Sequence, residues 1–186
     1  SILKKRNLDF DQLHALLESV FALGRHERAL TLIVDLPDEK VRDNTDWADR
    51  RRIAAEWFST LAKRSKELPF TALSFFVYDN VGTNNNDLPS EMVLAADSSR
   101  EGSMIPGEII SLESVLERSS VILAPTEFSA TAPLKNLAKP FNFRGATLPG
   151  FSRKMIPALG LDYEKVHGRV MQFKTRLDRA TSADVV

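Results

Sequence analysis

Carboxylates stand where three short apolar runs end: Asp35 after 29–34, Asp79 after 71–78, and Glu127, beside Thr126, after 121–124. In an open parallel sheet, ligands collect outside the carboxyl ends of the strands, where side chains from several loops converge. Asp35, Asp79, Thr126 and Glu127 are therefore the candidate lining of one crevice, with polar groups suited to orienting a small ligand. The same residue types also end strands for a local reason, since Asp and Thr form turns and cap helices. Their spacing assigns neither a nucleophile nor a general base, and no residue is read as catalytic.

Other chemistries lack a required member. Gly102 with Gly107, and Gly145 with Gly150, have phosphate-loop glycine spacing, but Glu108 and Phe151 occupy the places where a lysine is needed. No Gly-x-Gly pair opens a dinucleotide fingerprint. His14, His26 and His167 never form the i, i+4 pair that puts two imidazoles on one helix face for zinc, and there is no cysteine to supply a thiolate, so no metal ligand is assigned in the segment. Ser152 follows Gly150-Phe151 without the second glycine of a nucleophile elbow and reads as a loop serine. Arg50-Arg51-Arg52 winds around a helix instead of forming one stripe and reads as a solvated face, while Trp47 and Trp57 read as packing residues.

The elements that must position these residues follow from periodicity. Asp9 and Gln12 fit the capping positions of a helix carrying Leu13, Leu16, Leu17, Val20 and Phe21 on one face, with Gly24 as its stop. A second helical stripe is Ile53, Ala54, Trp57, Phe58 and Leu61, with Asp46 and Asp49 near its positive end. The runs 29–34, 71–78 and 121–124 are nearly apolar throughout, as strands covered on both faces are, and 144–148 reads as a fourth, short strand. Ser111 caps a short helix through Val115 and Leu116, and Pro133 sits early in another through Leu134 and Leu137. The segment 88–108 is open: Met92 to Ala96 fits a helical turn or an edge strand, and Ser98 to Gly107 reads as a loop. A last helix starts near Asp162 and carries Val166, Val170, Phe173, Leu177 and Ala180. Strands alternating with helices predict an α/β fold, a three-layer α/β/α arrangement around a mostly parallel sheet.

Lysine plus arginine equals aspartate plus glutamate, 25 against 25, so no net field favours a nucleic-acid backbone or an anionic membrane, and neither is an expected partner. No run approaches the roughly 20 apolar residues of a spanning helix, and no apolar signal core follows Lys4, Lys5 and Arg6. The expected location is cytoplasmic. The 186 residues suit a single α/β domain over 1–186. The chain begins with Ser rather than Met, and Val185-Val186 reads as the start of another strand, so the expectation is an N-terminal segment of a longer two-domain protein.

From Val121 onward two loop signatures stand out: Ala124-Pro125-Thr126-Glu127-Phe128-Ser129-Ala130-Thr131, and Arg144-Gly145-Ala146-Thr147-Leu148-Pro149-Gly150-Phe151-Ser152 with Met155-Ile156. With Leu161-Asp162-Tyr163 and the helix through Ala180, this part resembles the N-terminal region of aminopeptidase T-type metalloaminopeptidases, whereas residues before it fit only in general pattern. The resemblance implies a cytoplasmic exopeptidase acting on peptide N-termini, a homodimer, in which this segment is the non-catalytic α/β domain. It further implies a separate C-terminal catalytic domain holding a divalent metal pair, of the zinc or cobalt class, on glutamates, histidines and an aspartate. No cofactor is expected in the segment itself; its partners are that catalytic domain and, through the whole protein, the peptide substrate. The alternative is a stand-alone module that binds a small ligand in the strand-end crevice.

Overall fold

The fold is seen in a computed structural model that describes residues 7–99, 104–160 and 163–182. Asp9 opens α1 (Phe10–Phe21) with a capping box: its side chain accepts from the Gln12 N–H at 3.0 Å, and Gln12 Oε1 accepts from the Asp9 N–H at 3.1 Å. The helix ends at Ala22, not at the expected Gly24; Ala22 has a left-handed φ of 46°, and its N–H reaches the Glu18 carbonyl at 3.0 Å. An alanine there costs about 1 kcal/mol. Gly24 instead donates its N–H to Glu27 Oε1 at 2.7 Å, fixing the approach to the first strand.

β1 (Glu27–Leu36), β2 (Phe70–Asp79), β5 (Ser119–Ala124) and β6 (Arg144–Thr147) are parallel, and β3 (Glu91–Ser99) and β4 (Ile109–Ser111) form an antiparallel edge. The order is β4-β3-β2-β1-β5-β6, which puts the largely buried β1 inside the sheet. The sheet is thus mixed but mostly parallel, and the fold is α/β. On one face α1, α2 (Thr45–Ala62) and the 3-10 segment Arg153–Gly160 bury Leu30, Leu32, Val34 and Leu73. On the other, α3 (Leu112–Arg118) and α4 (Thr131–Phe141) cover Ile33, Phe76, Tyr78 and Ile122. Alternate residues of β1 feed different cores, which is why its run 29–34 is apolar at every position but Thr31.

The open segment resolves as strand. Met92 and Leu94 are buried while Val93 and Ala95 are exposed, a period of two that no helix shows. Phe75 pairs with Ala96 and Phe76 with Leu94, so Ala95 is an extra, bulged residue. Ser98 and Ser99, expected in a loop, continue β3 against Leu73 and Ala72. α5 (Tyr163–Leu177) ends before the expected Ala180, whose N–H closes a tighter turn onto the Leu177 carbonyl at 3.0 Å. Gly102, Leu161, Asp162 and the strand expected at Val185-Val186 lie outside the described residues. Among the described residues, no helix is long and apolar enough to cross a membrane.

Candidate functional site

Asp35, the penultimate residue of β1, has no exposed surface. Its Oδ1 accepts from the Trp47 indole N–H at 2.9 Å and the Glu127 N–H at 2.8 Å, and its Oδ2 accepts from the Phe128 N–H at 2.9 Å. Burial pushes the Asp35 carboxyl above its ordinary value, and these three donors oppose the rise without cancelling it. The indole N–H is shared with the Asp35 carbonyl at 3.1 Å. One aspartate therefore binds the end of β1, the first turn of α2 and the loop after β5. Beside it Thr126, also fully buried, donates its hydroxyl to the Phe128 carbonyl at 2.6 Å and folds that loop back on itself.

Glu127 leaves this loop toward α2, where Arg50 Nη1 pairs with its Oε2 and Asn44 Nδ2 donates to its Oε1 at 3.3 Å. Arg50 is only 3% exposed and also donates its Nε–H to the Phe151 carbonyl at 2.9 Å. That corrects the reading of the arginine run as a solvated face: Arg52 is exposed, but Arg50 is interior. Its position was visible in the sequence, because Trp47, Arg50, Ala54, Trp57 and Leu61 recur at three- and four-residue steps and all are buried. Trp47 and Trp57 are packing residues, and Trp47 meets the Phe128 ring edge-on at 6.1 Å.

The Phe151 carbonyl is aimed by a turn. Leu148-Pro149-Gly150-Phe151 has a Phe151 N–H to Leu148 carbonyl bond of 3.2 Å and a Gly150 φ of +66°, the residue pattern of a type II turn. Gly150→Ala should lower stability by about 1 kcal/mol through that backbone conformation, since its added methyl meets nothing within 4 Å. Thermal denaturation measures it; an unchanged midpoint would show that the turn tolerates a side chain.

Two more contacts tie the same rim. Thr131 and Thr147 share a hydroxyl bond of 2.7 Å between α4 and β6, and the Leu148 N–H reaches the Ala124 carbonyl at 3.0 Å. From the far side, the loop after β2 reaches α4: Asn84 Oδ1 accepts from the Ser129 N–H at 2.8 Å and Asn85 Oδ1 from the Ala132 N–H at 3.1 Å. These asparagines satisfy amides at the start of a helix that lacks a side-chain cap.

The structure thus gathers Asp35, Thr126 and Glu127 and leaves Asp79 apart. Asp79 pairs in register with Leu36, one residue beyond the Asp35–Tyr78 pair, so it faces the opposite side of the sheet. There it lines a shallow pocket of about 190 Å³ with Leu36, Val77, Val93 and Ile109. Sequence reasoning missed Arg50 and Asn44 as members of the cluster because their partner Glu127 stands 77 and 83 positions away, and Trp47 because it reads as packing alone although its indole N–H reaches Asp35 twelve residues back. The gathered groups are saturated with one another and shielded from solvent at Asp35 and Thr126, so their chemistry is positional: they hold four segments in one fixed rim. Among the described residues, no three His, Cys, Asp or Glu side chains come together as a metal site. Fold and rim define an α/β domain with tied strand-end loops. Compared with protein-family models, curated proteins and solved structures, the chain matches none.

Proposed function

We propose that this chain is the non-catalytic α/β domain of a cytoplasmic, metal-dependent aminopeptidase of the aminopeptidase T type, and that its strand-end rim forms a wall beside a catalytic site carried by another domain. The observation supporting this reading is where the two loop signatures meet. Residues 124–131 and 144–156 are separate in sequence, yet Arg50 bonds Glu127 of the first and the Phe151 carbonyl of the second, and Thr131 bonds Thr147 across them. Signatures without catalytic groups then have a physical reason to occur together: they build one rigid surface. A wall that shapes access to peptide N-termini must hold its form without a ligand, and a rim fastened by side-chain bonds between its loops does so. The small-ligand alternative gains nothing from this geometry, since Asp35 is closed off and Asp79 faces away.

The test is aminopeptidase assay and bound-metal analysis of two chains, these 186 residues and a version extended through the reading frame beyond Val186. The extended chain is expected to bind divalent metal and to show chelator-sensitive release of N-terminal residues, and the 186 residues alone to show neither. Chelator-sensitive turnover by the short chain would overturn the assignment. A reading frame that closes at Val186 would do the same.

A further inference from the structure

At the end of the sheet opposite the rim, where β1, β5 and β6 begin, lies a polar pocket of about 320 Å³. Ser120 enters it through an irregularity of β5. Ala29 pairs with Ser119 and Leu30 with Val121, so Ser120 is an extra, bulged residue, and a bulge re-aims a side chain out of the strand's alternation. The residue is 8% exposed, and its Oγ is buried without a hydrogen-bond partner. An unpaired buried hydroxyl is costly, and one that lines a polar pocket is placed to serve an acceptor from outside. Arg28, an exposed residue, lines the same pocket and is held by carbonyl oxygens: its Nη2 donates to Ser119 at 2.6 Å, Asn142 at 2.7 Å and Phe141 at 3.1 Å. Those bonds fix the guanidinium without neutralising it. The second arginine of the wall, Arg144, pairs with Glu27 at 2.6 Å. Burial raises the Glu27 carboxyl, but the Gly24 N–H, Arg144 and the Ser120 hydroxyl, close by though short of a hydrogen bond, outweigh it and hold the acid below its ordinary value. Glu27 is therefore ionised at neutral pH, and with His26 counted neutral the wall has one positive charge in surplus.

We propose that this pocket binds a small monocarboxylic acid as its anion, with a carboxylate oxygen on the Ser120 hydroxyl and the charge set against Arg28. Charge selects a single negative group, because Glu27 stands in the same wall and repels a second. A phosphate, which carries about −1.5 to −2 at neutral pH, is the poorer match. Size selects a compact acid, since the pocket lies at the lower end of the roughly 300–1,000 Å³ of small-molecule sites. The buried Phe143, also in the lining, offers apolar surface to a short hydrocarbon body. The site stands at the other end of the strands from Asp35 and Glu127 and is independent of any peptidase role.

The test is an amide-resolved NMR titration of the 186-residue chain with sodium butyrate and, separately, with inorganic phosphate, both at constant ionic strength. Butyrate is expected to shift the Arg28, Ser120 and Arg144 amides saturably with millimolar affinity, and phosphate to bind more weakly. Ser120→Ala should weaken butyrate binding at least about fivefold and leave the thermal midpoint of the free protein unchanged or higher, because it removes an unpaired hydroxyl. A serine that served only the fold would do the reverse. Arg28→Gln, checked for fold by circular dichroism, should weaken butyrate about tenfold or more through loss of a charge-assisted bond. Arg28 also fastens the end of α4, so the Ser120 variant decides the matter if this one fails to fold. No saturable shift below about 100 mM butyrate would overturn the proposal. Butyrate affinity indifferent to Ser120→Ala, or phosphate binding tighter than butyrate, would overturn it equally.

Discussion

Arg50→Met is expected to destabilise the protein by about 3 kcal/mol, lowering the thermal midpoint by roughly 6–12 °C for a domain of this size. The methionine can fill much of the space, but it strands the Glu127 carboxylate and the Phe151 carbonyl, each of which has Arg50 as a partner. The value sits at the low end for a broken interior pair because the Glu127 side chain is still 28% exposed and can recover some water. Glu127→Gln alone should cost less, since the amide oxygen can still accept from Arg50 and the guanidinium keeps its carbonyl. Combining the two should cost less than the sum, because no stranded carboxylate remains. Strict additivity in chemical denaturation would show that the pair is not coupled and that Arg50 acts through its bond to the Phe151 carbonyl and its packing.

Asp35→Ala should be comparably damaging, about 3–4 kcal/mol, because the Glu127 and Phe128 amides lose a buried acceptor while the Trp47 indole keeps its bond to the residue 35 carbonyl. Hydrogen exchange at those two amides should accelerate first; protection unchanged there would mean another acceptor replaces the carboxylate. Asp35→Asn isolates the pH effect. The folded protein holds a proton on Asp35 above the ordinary range near 3.8, so between that value and the raised one it binds more protons than the unfolded chain. Stability from this group is therefore greatest at acid pH and falls as pH rises through that window. Wild-type stability relative to the asparagine variant should decline from below pH 4 upward, the reverse of an ordinary ion-paired carboxylate. A difference that grows with pH would show that the three donors outweigh burial.

What could be read in advance follows from the range of the forces involved. The capping box of α1, the stripe of α2 and the apolar runs of β1, β2 and β5 are local patterns, and each lies within a residue or two of where the spacing predicts it. β3 was ambiguous because the Ala95 bulge breaks its alternation and makes a half-covered strand resemble a helical turn. The strand ends located Asp35, Thr126 and Glu127, but which face a strand-end side chain serves depends on register, and so Asp79 parted from them. Arg50 carried a helical-stripe signal that its two arginine neighbours concealed. Its partners stand 77 and 101 positions away, a separation at which periodicity is silent.

The outer strands of the sheet have a consequence for its behaviour in crowded solution. The inner strands β1 and β2 run ten residues each, whereas the borders are β4 with three and β6 with four. A border that short presents few unpaired amides and carbonyls, too few to template a long ladder with another molecule. The extended inner strands, apolar enough to be hazardous if uncovered, are thus kept from propagating a fibril while the fold is intact. Fibrillar aggregation should begin only after β6 or the β3–β4 hairpin has peeled away.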